Sequence, residues 1–268
     1  MSDAASLARN RTTFSADTRW IRRAVRPSPA LRLICLPFAG GGASVFYPLA
    51  DLLPDSIELV AVQLPGREDR SREDPPTDPD ALARSCAIAL RPYSTAPFAL
   101  YGHCAGALLA YEVARYMGER FGRWPRRLVA AAQPAPHLGV AGTLLHQLSD
   151  GELLDVVRSR GGLPEAILRN SAFVDFLLPV LRSDFTLWER YEHPSGPPLP
   201  CPVTTLRGRD DPLVTAESTG AWQEWTSAGV TEVVVDGGHY FINGISEGAA
   251  RSLAGALLGN GGGSHGQH

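Results

Sequence analysis

The stretch Phe98-Ala-Leu-Tyr-Gly-His-Cys-Ala-Gly106 carries the strongest structural signal in this chain. Its apolar first half predicts a short buried strand, and the Ala- and Leu-rich segment 107–120 behind it predicts a helix. In a tight strand–turn–helix junction the central side chain projects above the sheet, and flanking glycines avoid the clash that a Cβ would cause. The helix also directs its N-terminal amides at this point and stabilises negative charge there. We therefore predict that Cys104 is a nucleophile rather than an inert thiol in a Gly-rich turn.

Apolar segments that alternate with helical patterns extend in both directions from this junction. The predicted strands are 31–36, 58–64, 98–101, 127–132, 203–206 and 231–235, and further helices are predicted at 80–91 and near 216–227. Such alternation is typical of an α/β fold, with a mostly parallel sheet covered by helices on both faces. Functional residues of such sheets gather at the carboxyl ends of the strands, which is where Cys104 is predicted to lie.

Three segments fall outside the alternating pattern. Residues 137–197 carry helical patterns without strands and predict a helical cap inserted into a core that consists of 29–136 and 198–258. Residues 1–28 are polar and Arg-rich, and we expect them to form an N-terminal arm. Residues 259–268 are Gly-rich, and we expect a disordered tail.

A cysteine nucleophile needs a base, and the base needs an acid that orients it. Gly208-Arg-Asp-Asp-Pro212 follows one predicted strand and Asp236-Gly-Gly-His239 follows the next, so the chain order is nucleophile, acid, histidine. We predict His239 as the base and Asp211 as the acid, because Asp211 has the usual position of this acid in its turn. Asp210 is the alternative. His103, inside the turn of the nucleophile, is expected to be structural.

The reaction also needs amide donors for an oxyanion. One is predicted to be the backbone N–H of Ala105, directly after the nucleophile. The other is predicted in the loop Pro37-Phe-Ala-Gly-Gly-Gly42 after the first strand, at Phe38 or, as the alternative, at Ala39. This loop is not a phosphate loop, because it contains neither G-x-x-x-x-G-K-[ST] nor G-x-G-x-x-G.

Composition argues against several classes of function. The chain has 268 residues and a formal net charge of −3, which disfavours nucleic acid or a membrane surface as a partner. No apolar run approaches the ~20 residues that span a bilayer, and we expect no signal peptide. The four cysteines form no C-x-x-C pair, so neither a disulfide framework nor a zinc site is expected. We therefore predict a reducing, cytoplasmic location.

Seven short motifs, spread over nearly the whole domain, together resemble one known family. They are Leu36-Pro-Phe-Ala-Gly-Gly41, Val62-Gln-Leu-Pro-Gly-Arg-Glu68, Pro97-Phe-Ala-Leu-Tyr-Gly-His103, Pro136-His-Leu138, Leu178-Pro-Val-Leu-Arg-Ser-Asp184, Gly208-Arg-Asp-Asp-Pro212 and Gly237-Gly-His239. With these motifs the chain is similar to type II thioesterases, the editing hydrolases that accompany polyketide synthases and nonribosomal peptide synthetases. The second and fifth motifs separate this group from other hydrolases.

The resemblance implies an α/β-hydrolase fold and a substrate held as a thioester on the phosphopantetheine arm of an acyl carrier or peptidyl carrier protein. It further implies hydrolysis of stalled or misprimed acyl groups, without a cofactor or a metal. The cap would form the acyl chamber, and the carrier would dock near its mouth. We expect the protein to be a monomer.

The chain departs from this family at its centre, because the family usually has Gly-His-Ser-Met-Gly where this sequence has Gly102-His-Cys-Ala-Gly106. A thiolate attacks a thioester readily, and the acyl-enzyme is then itself a thioester. Transfer of the acyl group to an amine or a thiol is therefore an alternative to hydrolysis. Two further alternatives are a Cys-dependent ester or lactone hydrolase and a carrier-binding protein with a degenerate site. The intact Asp211 and His239 disfavour the degenerate site.

Overall fold

A computed structural model of the chain describes residues 12–139, 143–163, 169–193 and 196–259. The described strands are β1 (Ser15–Thr18), β2 (Ile21–Ala24), β3 (Leu31–Leu36), β4 (Ile57–Val62), β5 (Phe98–His103), β6 (Leu128–Ala131), β7 (Val203–Gly208) and β8 (Val230–Val235). Within these residues they form one eight-stranded sheet in the order β1-β2-β4-β3-β5-β6-β7-β8. The strands from β3 to β8 pair in parallel, whereas β1 and β2 extend one edge antiparallel. The predicted mostly parallel sheet is confirmed.

Helices cover both faces of this sheet. The described α-helices are α1 (Tyr47–Leu52), α2 (Pro79–Leu90), α3 (Ala105–Phe121), α4 (Asp150–Ser159), α5 (Ser171–Glu189), α6 (Ala216–Gly220) and α7 (Glu247–Leu258). Alternate residues of β3 serve the two faces: Ile34 packs in the cluster with α2 and α3, and Leu33 packs in the cluster with α1 and α7. The predicted α/β fold with helices on both faces is therefore confirmed.

Two helices were not predicted from the sequence, and one is shorter than predicted. α1 has only six residues, and α7 contains Gly248 and Gly255, which lower its helix propensity. The helix predicted near 216–227 is α only as far as Gly220, after which residues 221–225 form a tighter 3₁₀ turn.

The prediction of an N-terminal arm at 1–28 needs a correction, because β1 and β2 belong to the sheet. β2 pairs with β4, with Ile21 opposite Val62, and Ile21 is fully buried. Arg23 in the same strand reaches the buried carboxylate of Glu58 at 3.4 Å. The strand escaped prediction because it is four residues long and two of them are arginines, which hide the apolar alternation.

α4 and α5 lie between β6 and β7, in the segment predicted to be a helical cap at 137–197. α4 begins at Asp150, because the Ser149 side chain accepts the amide of Glu152 and forms a capping box. The division into core and cap remains a prediction. The predicted tail at 259–268 lies outside the described residues apart from Gly259. No helix in the described ranges has the length and apolar character needed to cross a bilayer.

Candidate active site

Cys104 occupies the turn between β5 and α3 with backbone angles φ 51° and ψ −126°. Residues with a Cβ rarely adopt a positive φ, so this turn is strained and depends on its surroundings. Gly102 and Gly106 allow it: a Cβ on Gly102 would lie 2.1 Å from the oxygen of Gly106. The Cys104 amide donates to the oxygen of Ala131, at the end of β6, at 2.8 Å. The thiol is partly exposed above the carboxyl end of the sheet.

His239 and Asp211 form a buried pair beside Cys104. Nδ1 of His239 lies 2.9 Å from Oδ2 of Asp211, and Oδ1 of Asp211 accepts the backbone N–H of Leu213 at 2.9 Å. With Nδ1 directed at the acid, Nε2 is left for the Cys104 thiol, to which the imidazole is hydrogen-bonded. Asp210, the alternative acid, has an exposed side chain. The structure therefore brings Asp211, and not Asp210, to the histidine.

The charges of this pair shift the pKa of both groups. Burial lowers the pKa of His239. The negative charges of Cys104 and Asp211 and their hydrogen bonds outweigh this effect and raise the pKa to about 10. Burial raises the pKa of Asp211, but its hydrogen bonds and the charge of His239 hold that pKa below its usual value. Both shifts favour the charged forms of this pair, a protonated imidazole beside the Asp211 carboxylate.

Gly208 lets the loop of the acid reach the loop of the histidine. A Cβ on Gly208 would lie 2.5 Å from the oxygens of both Gly237 and Gly238. The next amide, that of Arg209, donates to the oxygen of Val235 at 2.7 Å. The loops after β7 and β8 therefore run side by side, which places Asp211 within reach of His239.

The amides predicted to bind an oxyanion are available for a ligand. In the described part of the chain the amide of Phe38 has no hydrogen-bond acceptor, and the same holds for Ala39. Ala105 is the first residue of α3, so no carbonyl of its own helix accepts its amide. A Cβ on Gly106 would lie 2.4 Å from the oxygen of Leu36. The start of α3 thus packs directly against the chain that leads to Phe38.

His103, expected to be structural, supports the loop of His239. It is fully buried, its Nε2 lies 2.8 Å from the carbonyl oxygen of His239, and its Nδ1 lies 3.2 Å from the hydroxyl of Tyr101. Burial and the charge of His239 lower the pKa of His103 to about 3, so the ring is neutral. The neutral ring donates from Nε2 to the carbonyl and accepts the Tyr101 hydroxyl at Nδ1.

The other thiols differ from Cys104 in their surroundings. Cys35, Cys86 and Cys201 are buried, and burial raises the pKa of each, to about 12 for Cys86 and about 11 for Cys201. The remaining described histidines have partners of their own: His137 bonds to Trp225, His146 to Glu189 and His193 to Tyr111. His265 and His268 lie outside the described residues.

A buried ion pair beside this site was not predicted from the sequence. Arg67, in the loop after β4, and Asp184, on α5, pair across 117 positions of sequence. Both stand in motifs that carried the family resemblance, and that was their only signal. No role could be assigned from the sequence because only the fold shows that they meet.

A cavity of about 330 Å³ adjoins the loop that contains Phe38. Its volume lies within the range of small-molecule sites in proteins. α4, α5 and Leu163 contribute most of its apolar wall. The apolar lining residues include Phe38, Val157, Leu163, Phe173, Phe176 and Leu177.

Comparison with known proteins bears directly on this site. The profile of the Thioesterase domain family matches residues 31–257. The chain belongs to the thioesterase family. This thioesterase is 35% identical over 232 residues to the gramicidin S biosynthesis protein GrsT of Aneurinibacillus migulanus, which covers 86% of this chain and 91% of GrsT. It is 37% identical over 227 residues to the thioesterase PikA5 of Streptomyces venezuelae, and the alignment covers 84% of this chain and 80% of PikA5.

Solved structures of thioesterases have the same architecture. The thioesterase RedJ of the prodiginine pathway in Streptomyces coelicolor superposes with a TM-score of 0.77 at 40% identity, over 87% of this chain and 90% of RedJ. The type II thioesterase BorB from the borrelidin cluster superposes with a TM-score of 0.81 at 38% identity, over 90% and 98%. The resemblance to type II thioesterases and the α/β-hydrolase fold that it implied are confirmed.

Proposed function

We propose that this thioesterase removes acyl groups from the phosphopantetheine arm of acyl carrier or peptidyl carrier proteins through an acyl-enzyme on Cys104. The observation that carries the proposal is the thiol on its strained turn, hydrogen-bonded to an imidazole that is itself held by Asp211. The carrier substrate is proposed because the relatives named above include proteins of antibiotic biosynthesis pathways. The free buried thiols suit a cytoplasmic enzyme.

Acylation follows from the positions of the groups. The thiolate of Cys104 attacks the thioester carbonyl, and the carbon–oxygen double bond opens to an oxyanion. The amides of Ala105 and Phe38 donate to that oxyanion, and each such donor is worth about 3–4 kcal/mol in a comparable site. The carbon–sulfur bond to phosphopantetheine then breaks, and protonated His239 gives its proton to the departing thiolate.

Hydrolysis reverses these roles. His239, now neutral and still oriented by Asp211, takes a proton from water, and the hydroxide attacks the acyl–Cys104 thioester. The same amides stabilise the second oxyanion. The acid is released, and the proton on His239 restores its pairing with the thiolate of Cys104.

The cavity beside Phe38 is the proposed chamber for the acyl chain. Its walls are predominantly apolar, and Phe173 and Phe176 contribute to them from the first turns of α5. Burial of the methylene groups of an acyl chain against such walls contributes about 0.8 kcal/mol for each group. We therefore propose acyl groups of modest size as substrates.

Transfer of the acyl group to a second thiol is the other candidate activity, and one observation favours it. The nucleophile is Cys104 where the related family usually has serine. An acyl–Cys104 bond is a thioester like the substrate, so little free energy separates the two, and attack by an acceptor thiol returns a thioester. With a serine ester the same attack would be uphill.

Both activities can be measured together. The protein is mixed with a panel of acyl carriers, with and without free N-acetylcysteamine, and followed by intact-mass spectrometry and by analysis of free acid and new thioester. We expect an acyl adduct on Cys104 and release of acid, with new thioester as the sign of transfer. Cys201→Ala is the matched control and should behave as wild type. Adduct or product that persists in Cys104→Ala would exclude Cys104 as the nucleophile.

A further inference from the structure

The two motifs that separate this family from other hydrolases meet at one buried ion pair. Arg67 comes from the loop after β4 and Asp184 from the middle of α5. The two side chains form a bidentate contact: Nη1 of Arg67 lies 2.7 Å from Oδ2 of Asp184, and Nη2 of Arg67 lies 2.9 Å from Oδ1 of Asp184. The side chains are only 3% and 4% exposed. A bidentate pair fixes direction as well as distance.

Each member of the pair also holds the loop that follows β3. Oδ2 of Asp184 accepts the backbone N–H of Gly40 at 2.7 Å, and Nη1 of Arg67 donates to the oxygen of Gly41 at 3.2 Å. The amide of Gly41 in turn donates to the oxygen of Phe38 at 2.9 Å, which closes the turn. The ion pair therefore fixes Gly40 and Gly41, in the same turn as the Phe38 amide.

Further contacts leave this loop little freedom. Gln63 accepts the amide of Ala43 at 2.9 Å and donates to the oxygen of Arg67 at 2.9 Å. Gly40 has φ +78°, and a Cβ there would lie 2.4 Å from Cδ2 of Leu181 on α5. Any rotation of the turn would therefore break hydrogen bonds to buried charged groups, and a buried polar group that loses its partner is costly.

We propose that Arg67 and Asp184 are positioning residues that aim the amide of Phe38 at the oxyanion. The proposal rests on the function proposed above, in which that amide is a donor. Because Asp184 lies on α5, the direction of the amide depends on how α5 is docked against the core. An oxyanion donor that is misplaced by about 1 Å can lower the rate about 100-fold.

Two reactions of Cys104 separate stabilisation of the oxyanion from the accessibility of the thiolate. Acylation by an acyl-N-acetylcysteamine passes through an oxyanion and needs no carrier docking. Alkylation by iodoacetamide needs the same thiolate and the same access but forms no oxyanion. At saturating acyl-N-acetylcysteamine the ratio of the two rates therefore reports on stabilisation of the oxyanion and not on the accessibility of the thiolate.

Asp184→Asn turns one acceptor of Arg67 into a donor, and Arg67→Lys keeps the charge but loses the bidentate contact. We expect each to lower the acylation rate about 10- to 100-fold and to leave alkylation within about twofold of wild type. Glu189→Gln is the matched control on the same helix. Glu189 is 4% exposed and accepts the amides of Leu145 and His146, and none of its hydrogen bonds within the described residues goes to the turn at Phe38. It should leave the ratio of the two rates unchanged.

Acylation at the wild-type rate in Arg67→Lys and Asp184→Asn would overturn the proposal. So would a parallel fall of acylation and alkylation in both variants, since this would mean that the pair supports the fold as a whole. An equal fall in Glu189→Gln would count against it in the same way. If wild type forms no acyl adduct on Cys104, the proposed function itself fails, which is a distinct result.

Discussion

Gly106 packs against the backbone of Pro37 so closely that a Cβ on Gly106 would lie 2.5 Å from the Pro37 oxygen. One of these residues stands in the first turn of α3 and the other in the loop after β3. Their contact sets the distance between the two amides that are proposed to bind the oxyanion, those of Ala105 and Phe38. The second glycine of the nucleophile turn is therefore required for a neighbouring loop as well as for its own backbone.

Gly106→Ala should separate the two amides and slow acylation of Cys104. The added methyl group meets backbone rather than a flexible side chain, so either the loop or the helix must move, and we expect a loss of about 100-fold. Stopped-flow acylation with an acyl-N-acetylcysteamine measures it. Gly255→Ala is the control: it is also a helical glycine, it has nothing within 4 Å of its Cβ position, and it should gain about 0.5–1 kcal/mol of stability without a change in rate. A similar rate in Gly106→Ala and wild type would contradict this account.

Asp211→Asn should lower turnover strongly, and Asp210→Asn should not. Only Asp211 holds Nδ1 of His239, so its loss removes the orientation and the charge that favour the imidazolium. Removal of such a carboxylate costs about 10²–10⁴ in rate. The neighbouring exposed carboxylate of Asp210 has no such contact and serves as the matched control. Steady-state hydrolysis of the same thioester measures both variants, and equal losses would remove the assignment of Asp211.

Cys104→Ser should change the pH dependence of acylation. In the wild type the pKa of His239 is about 10, so loss of the imidazolium should lower the rate only as pH rises past that value. The serine hydroxyl removes the negative charge that raises this pKa, and neutral His239 must then act as a base. The rate of the variant should rise with pH through the lower pKa of its histidine. Single-turnover acylation between about pH 6 and pH 10 tests this, and a wild-type rate that rises in the same way would exclude a preformed ion pair.

His103→Gln should make the fold less sensitive to acid. The pKa of His103 is about 3 in the fold and near 6.5 in the unfolded chain, so the unfolded state binds the proton first. The stability that comes from neutral His103 is complete above about pH 6.5 and is lost as pH falls towards 3, by at most about 1.4 kcal/mol per pH unit. Gln keeps a donor and an acceptor but does not titrate. Urea unfolding at several pH values measures the free energy of unfolding of both proteins. As pH falls, the value for His103→Gln should increase relative to that of the wild type. A difference between the two that does not change with pH would be inconsistent with the lowered pKa of His103.

Local chemistry made much of the fold and the candidate site predictable. The alternation of strands and helices needed only apolar patterns and chain order. Cys104, Asp211 and His239 were predictable because each follows an apolar strand within three residues of a glycine, which marks a tight turn at a strand end. The hairpin of β1 and β2 was not predictable, because Arg22 and Arg23 dominate the composition of β2 and two of their carboxylate partners, Asp69 and Glu58, lie more than 30 residues away in sequence.

The amino-acid sequence by itself determined the order of the candidate triad, the position of the strained turn and the thiol that replaces the usual serine. Only the tertiary structure decided between Asp210 and Asp211, since adjacent carboxylates carry the same local signal and differ only in which one faces His239. It alone also joined Arg67 to Asp184. The reason is physical: pairing of buried charges depends on the exclusion of water by residues distant in sequence, and that environment exists only once the chain has folded.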